Sequence, residues 1–132
     1  MSETTAISLI KPGDIVVCRN YKFYNDAAAS YHPFLVLSVS PCVTVLVCTD
    51  AQHSSKFVNN VNIDWKSAGL RKPTIVITDK IGVIKLSDVT RKIGTLKWSD
   101  YLDIQNVIKC NKSLIHYFES RENRDERVHY FV

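Results

Sequence analysis

Apolar residues occur mainly in short runs separated by polar and turn-forming residues, which is the pattern of a chain built from β-strands. The clearest run covers residues 34–39 and follows Pro33. A second covers residues 43–49 and follows Pro41-Cys42, so the two form a hairpin. Both runs are almost continuously apolar, which favours strands that are buried on both faces in a small barrel.

The rest of the first hundred residues continues this β-rich pattern. A turn signal at Lys11-Pro12-Gly13-Asp14 introduces the first strand, and residues 20–33 show no periodicity and are interpreted as a long loop. Asp79-Lys80 links two short buried strands, and the last strand is basic, with Arg91 and Lys92. The further predicted strands cover residues 15–19, 57–63 (as an edge strand), 74–77, 81–84 and 89–96.

The pattern changes to helical spacing after residue 98. Ser99 is the predicted N-cap, and Tyr101, Ile104, Val107 and Ile108 follow at three- and four-residue spacing as a core-packing stripe without chemistry.

Three later apolar residues extend this spacing, which predicts one helix broken near Asn111 or two consecutive helices. They are Leu114, Ile115 and Phe118. Residues 128–132 are compatible with a short added strand. The predicted class is α+β, mostly β, with a small barrel and a C-terminal helix.

A length of 132 residues fits one domain. We expect a flexible lead-in over residues 1–10, a barrel with its helix over residues 11–118 and a charged tail over residues 119–132. No apolar run reaches the roughly 18–20 residues of a membrane span. The N-terminus carries an acid where a signal peptide carries basic residues, so we expect a cytoplasmic protein without a membrane partner.

The net charge of +4 is mildly basic, which favours an encounter with a polyanion without identifying one. Residues 119–127 contain four acids and three arginines, so the positive charge belongs to the body of the domain.

The four cysteines have the spacing of neither a zinc site nor a CxxC redox motif. They are Cys18, Cys42, Cys48 and Cys110. Cys18 and Cys48 lie within apolar runs and are expected to behave as buried hydrophobes. The cysteines therefore predict no metal site, and we also expect no cofactor.

Five segments, in order and with matching spacing from about residue 11 to residue 108, together resemble the PemK/MazF family of toxins. They are residues 13–16 (GDIV), 32–38 (HPFLVLS), the strand that ends at Thr49, residues 69–81 (GLRKPTIVITDKI) and residues 91–96 (RKIGTL) followed by Ser99-Asp100. The chain after residue 110 lies outside this resemblance.

The resemblance implies a homodimeric, SH3-like barrel that cleaves single-stranded RNA such as mRNA and thereby inhibits translation and growth. It also implies silencing by a cognate antitoxin protein. The family's chemistry uses no metal, because the ribose 2′-hydroxyl attacks the adjacent phosphate. Such a reaction needs a proton acceptor, stabilisation of the crowded phosphate and a proton donor for the leaving 5′-oxygen.

The chain departs from the family at His32-Pro33, where the family has Arg-Pro and uses the arginine as phosphate clamp and proton donor. Histidine titrates near neutral pH, but it cannot replace a guanidinium group, which is permanently charged and binds phosphate through two parallel hydrogen bonds. Three interpretations remain: His32 works as acid or base, Arg19 supplies the missing charge, or the chain is a weak or inactive relative.

By the same resemblance, Thr49 matches a threonine whose hydroxyl bonds the scissile phosphate, and Asp79 matches an acidic position used in some members. Their structural alternatives are a strand-end threonine bonded to local backbone and a turn-capping aspartate. Aromatic and basic residues in the first loop suit stacking on single-stranded RNA, although some of them could simply pin that loop. The candidate RNA-binding residues are Tyr21, Lys22, Tyr24 and Tyr31 in that loop, beside Phe23, and His53 and Lys56 after Thr49.

Two other functions stay open. One is a barrel that binds RNA or a partner protein without cutting, which the missing arginine favours. The other is a gyrase-directed toxin on the same general scaffold, which the matched segments favour less.

Overall fold

The computed structural model describes residues 9–18, 33–52 and 59–110, together with the backbone of residues 116–119 and 129–130. The strands are β1 (Asp14–Cys18), β2 (Pro33–Ser38), β3 (Val43–Asp50), β4 (Asn60–Asn62), β5 (Thr74–Ile84), β6 (Val89–Thr95), β7 (His116–Glu119) and β8 (His129–Tyr130). One helix, α1 (Trp98–Cys110), lies between β6 and β7.

All eight strands belong to one sheet with the order β6-β1-β2-β3-β5-β7-β8, and β4 pairs separately with β5. Every pairing is antiparallel except the one between β5 and β7. The predicted α+β, mostly β class is confirmed.

The sheet curls, because the connection from β5 to β6 is short. Residues 85–88 contain a 3-10 turn at Leu86–Asp88, and a fully extended chain from residue 84 to residue 89 would reach at most about 18 Å. In a flat sheet, β5 and β6 would lie about 19 Å apart across the three strands between them. No ladder joins β5 to β6 in the described part of the chain, so the predicted barrel is an open, curled sheet.

Both faces of the sheet are buried, as the apolar runs predict. Neighbouring residues alternate between two hydrophobic clusters: Val16 and Phe34 belong to one, and Ile15 and Leu35 belong to the other. Helix α1 covers the second cluster with the side chains of Tyr101 and Ile104, the latter fully buried. The predicted core role of the helix stripe is thereby confirmed at these two positions.

Two predicted strands are one strand in the structure, since β5 continues through Asp79 and Lys80. Leu46 pairs with Ile81 and Cys48 pairs with Val76, so β5 carries extra residues opposite an uninterrupted β3. This irregularity places polar residues in mid-strand, which explains why the sequence suggests a break there. Of the predicted strand 57–63, the described part forms β4.

The C-terminal helix differs from the prediction at both ends. It begins at Trp98, so Ser99 lies in its first turn rather than at its N-cap, and it ends at Cys110. The predicted helical extension to Phe118 is wrong, because His116–Glu119 pairs with residues 80–83 of β5 as β7. Pairing with the edge of β5 decides the structure of residues 116–119 against the helix that their apolar spacing predicts. Leu114 and Ile115 lie outside the described residues.

The thiols of Cys18 and Cys48 are buried, as expected. Burial raises the pKa of each to about 12, and the charge of Asp88 adds to the effect at Cys18. Both are therefore protonated at neutral pH and serve as packing residues. The described segments contain no helix that is long and apolar enough to span a membrane.

Candidate functional site

A groove of about 700 Å³ opens at the end of β3, between the segment that precedes β5 and the strand β6. It is lined by Pro33, Thr49, Asp50, Gln52, Gly69, Leu70, Arg71, Lys72, Thr74, Arg91 and Ile93. The groove therefore combines a strand-end hydroxyl with three basic side chains.

The groove walls are held together by a close backbone contact between two glycines. A Cβ added to Gly69 would lie 2.9 Å from the carbonyl oxygen of Ile93, and one added to Gly94 would overlap the carbonyl oxygen of Ala68. Gly69 also has a φ of +89°, which side-chain-bearing residues rarely adopt. Glycine at both positions lets the segment that carries Arg71 lie directly against β6.

The segment before that contact is an ordered turn. Its backbone amides at Gly69 and Leu70 donate to the carbonyl oxygens of Lys66 (3.1 Å) and Trp65 (3.0 Å). The amide of Asp64 donates to the carboxylate of Asp100 in α1 (2.7 Å). The helix and the turn thus hold one wall of the groove in place.

The basic residues of the groove are not equivalent. Lys72 Nζ lies 2.9 Å from Oδ2 of Asp50, and Asp50 Oδ1 also accepts the backbone N–H of Gln52 (3.0 Å). Arg71 and Arg91 form no ion pair and no hydrogen bond through their guanidinium groups in the described part of the chain. The groove thus offers two permanently charged guanidinium groups.

Alternation along β6 separates Arg91 from its neighbour Lys92. Arg91 and Ile93 line the groove, whereas Lys92 Nζ lies 3.3 Å from the buried carboxylate of Asp14 in β1. Successive strand residues point to opposite faces, so only one of the two adjacent cations serves the groove.

Thr49 lies where the sequence places it, at the end of β3 and in the groove. Only 8 % of the residue is exposed, and its backbone pairs with Ile75 of β5. Its hydroxyl forms no hydrogen bond with any described residue. A hydroxyl without a protein partner can donate to a ligand in the groove.

Asp79 does not line the groove. Its Oδ2 accepts a hydrogen bond from Asn59 Nδ2 (3.0 Å), and its Oδ1 lies 3.3 Å from Lys80 Nζ. Asn59 is held in turn through its carbonyl oxygen by the amide of Thr78 (2.9 Å). In this arrangement the carboxylate of Asp79 supports the irregular middle of β5.

The other predicted site residues lie outside the described residues. They are Arg19, Tyr21, Lys22, Tyr24, Tyr31, His32, His53 and Lys56. Three of the residues next to them in the chain are described: Pro33 and Gln52 line the groove, and Cys18 ends β1.

Arg71, Lys72 and Arg91 are groove residues that sequence reasoning did not assign to the site. They belong to two of the five segments that resemble the family, and the last predicted strand is basic in the sequence. Their shared location depends on the contact between Gly69 and Gly94, which no sequence spacing reveals. The described residues contain no cluster of three or more His, Cys, Asp or Glu side chains arranged to bind a metal.

The fold and groove define a mostly β protein with an open, curled sheet and a basic groove beside a strand-end threonine. A model of the PemK-like, MazF-like toxins of type II toxin-antitoxin systems matches residues 11–111, and the chain belongs to this family. The resemblance in the five segments is thus confirmed, and membership implies an antitoxin partner. A search of curated proteins found no match.

Proposed function

We propose that this protein is a toxin endoribonuclease that cleaves single-stranded RNA in the groove and thereby inhibits translation and growth. It acts in the cytoplasm as a homodimer and is neutralised by a cognate antitoxin. The observation that carries the proposal is the buried residue Thr49, whose hydroxyl has no hydrogen-bond partner among the described residues and which shares its groove with two arginines that are likewise unpaired there. Family membership supplies the reaction class.

The proposed reaction is an attack of the ribose 2′-oxygen on the adjacent phosphorus. A base takes the 2′-hydroxyl proton, the bond from phosphorus to the 5′-oxygen breaks, and an acid protonates that oxygen. The products are a 2′,3′-cyclic phosphate and a 5′-hydroxyl, and the step needs no metal or cofactor. We assign the hydrogen bond to the scissile phosphate to Thr49, because a donor aimed at developing charge stabilises the transition state.

The proton transfers are assigned to His32, with Arg19 as the alternative source of positive charge. His32 precedes Pro33, which lines the groove, and an imidazole can exchange protons near neutral pH. Tyr21, Lys22, Tyr24, Tyr31, His53 and Lys56 remain candidates for contacts with the RNA bases and backbone. Asp79 remains a candidate through an indirect effect on β5.

The reaction class is tested by incubating the purified protein with a long single-stranded RNA in EDTA and mapping the ends. We expect cyclic or 3′-phosphate ends together with 5′-hydroxyl ends. RNA with 2′-deoxy or 2′-O-methyl ribose at the cut site should resist, because the nucleophile is absent. Cuts that leave 5′-phosphates, or that require magnesium, would contradict the mechanism.

The role of Thr49 is tested with Thr49→Val, which removes the hydroxyl and keeps the shape of the side chain. Cleavage should fall about 10²-fold, the lower range for losing one transition-state donor. Thr90→Val is the matched control, since the Thr90 hydroxyl donates to the Val17 carbonyl oxygen (3.0 Å) and does not line the groove. Equal losses of cleavage in the two variants would refute the assignment.

The assembly is tested by light scattering. We expect a mass of about twice the 15.0 kDa of one chain and a shift to a larger complex when the antitoxin is added. A monomeric mass at micromolar concentration would contradict the proposed homodimer.

A second candidate function is an RNA- or protein-binding module that does not cut. His32 favours it, because histidine replaces the arginine that the resemblance implies at this position. Binding of uncut RNA by a protein that shows no cleavage in EDTA or in magnesium would support it.

A further inference from the structure

Two guanidinium groups in the groove have no internal role in the described structure. Arg71 and Arg91 are exposed, line the same groove from two different segments and form no ion pair or hydrogen bond with described residues. Lys72, their neighbour, is engaged with Asp50 at 2.9 Å.

The relative placement of the two walls is constrained by backbone rather than by side chains. Gly69 lies two residues before Arg71, and the approach of residues 68 and 69 to residues 93 and 94 leaves no room for a Cβ at Gly94. This close approach places the segment that carries Arg71 directly beside the strand that carries Arg91.

The net positive charge of the groove favours an anionic ligand. Among the described lining residues, three cations oppose one carboxylate, and Asp50 is already neutralised by Lys72. Guanidinium groups match phosphate oxygens in a bidentate geometry and remain charged at every physiological pH.

We propose that Arg71 and Arg91 are positioning residues that hold backbone phosphates of a single RNA strand on either side of the groove, leaving Thr49 for the scissile phosphate. The proposal rests on the proposed function and names the two contacts that orient its substrate. These contacts supply affinity and its dependence on salt, and they carry no preference for particular bases.

The proposal is tested with a fluorescent, mixed-sequence 2′-O-methyl RNA, which the protein can bind but not cut. Its affinity is measured by anisotropy between 50 and 200 mM salt, where each phosphate contact on a single strand contributes a slope of about 0.7 in log affinity against log salt. Arg71→Gln and Arg91→Gln should each lower the slope by about 0.7 and the affinity about tenfold.

Two further variants separate charge from structure. Lys109→Gln removes one positive charge from α1, outside the groove, and should leave the slope unchanged. Arg91→Lys should restore the slope while recovering only part of the affinity, because an ammonium group cannot form the bidentate contact. Thermal unfolding of each variant shows whether the fold is retained.

The outcomes distinguish this proposal from the function on which it rests. If the wild type binds RNA and both glutamine variants keep its slope, the positioning role is refuted and the endoribonuclease proposal stands. If cleavage assays show a raised KM with an unchanged kcat in both variants, the positioning role is supported. If the wild type neither binds nor cuts RNA, both proposals fail.

Discussion

Asp14 shows how one buried carboxylate can join a turn and two strands. Its oxygens accept hydrogen bonds from the backbone N–H of Lys11 (2.9 Å) and from the Thr95 hydroxyl (3.0 Å), and Lys92 Nζ lies 3.3 Å away. Burial by itself raises the pKa of this carboxyl, but the hydrogen bonds from Lys11, Thr95 and Lys92 together outweigh it and hold the pKa below its usual value. The ionised form is therefore the one that stabilises the fold.

Asp14→Asn should lower the free energy of unfolding by about 1–3 kcal/mol at pH 7, the usual range for a buried partner lost from hydrogen-bonded groups. Because the folded pKa is lower than the unfolded pKa, the contribution is fully present above about pH 5. The contribution is lost as the pH falls through the lowered pKa of the folded state. Urea unfolding at pH 7, 5 and 3 measures this, with Asp103→Asn on the exposed face of α1 as control. A difference between wild type and variant that is independent of pH would contradict the ionic role.

His32 stands where the resemblance implies an arginine, and His32→Arg is the sharpest substitution at this position. If His32 transfers protons, the wild-type rate should vary across about pH 5–8, and the arginine variant should lose this dependence and rate. An inactive relative that lacks its clamp should instead gain cleavage. His32→Ala, expected to lower cleavage by about 10²–10⁴-fold, is the companion variant. If neither substitution changes RNA cleavage, His32 is structural.

The candidate site could be predicted in part from individual residues. Thr49 is assigned through the resemblance, as the threonine at the end of the second strand of the hairpin, and it lies in the groove. Arg71 and Arg91 are 20 positions apart, and only a contact between backbones brings their walls together. Sequence periodicity reports which face a residue occupies within its own element, and it carries no information on such contacts.

At the scale of elements, the contact of Gly69 with β6 has the most direct consequence for the groove. Leu96 N donates to the Gly13 carbonyl oxygen (2.8 Å), so β6 is tied to the first turn of the domain as well. A substitution at Gly94 is therefore expected to displace one wall of the groove and to disturb the β1–β6 ladder.

Gly94→Ala should destabilise the protein by about 1–3 kcal/mol, because the added methyl group overlaps the Ala68 carbonyl oxygen and forces the two segments apart. RNA affinity should fall even though every charge in the groove is retained. Thermal unfolding and anisotropy with the uncut RNA measure the two effects. An unchanged affinity in a folded variant would show that this contact does not hold the groove walls.

The elements that were predicted correctly are those whose signal is local. The apolar runs of β2 and β3 locate both strands, and the spacing of Tyr101 and Ile104 locates the buried face of α1. The continuity of β5 and the strand β7 were missed because both depend on a neighbouring strand. The two ends of β5 pair with β3 on either side of its irregular middle, and β7 forms against residues 80–83.

At the scale of the whole molecule, the segment after the family match extends the sheet. The match ends at residue 111, whereas β7 pairs with β5 in parallel and β8 pairs with β7 through His116 and Tyr130. A strand edge that is covered in this way is protected from pairing with other chains.

Truncation should separate the contributions of the last two strands. Deleting residues 120–132 removes β8 and should leave a folded protein with a slightly lower Tm, since β7 still covers β5. Deleting residues 112–132 removes β7 as well, exposes the edge of β5 at residues 80–83 and should promote aggregation. Size-exclusion chromatography and thermal unfolding compare the two. Insolubility of the shorter deletion would show that the tail belongs to the core.

The position of β6 also decides when the groove forms during synthesis. Strand β1 receives its second neighbour only when β6 pairs with it from Val89 onward, and β6 supplies Arg91 and Ile93 to the lining of the groove. A nascent chain or fragment that ends before Val89 thus carries Thr49 but lacks the part of the groove that β6 supplies. During translation the groove is therefore incomplete until β6 has left the ribosome.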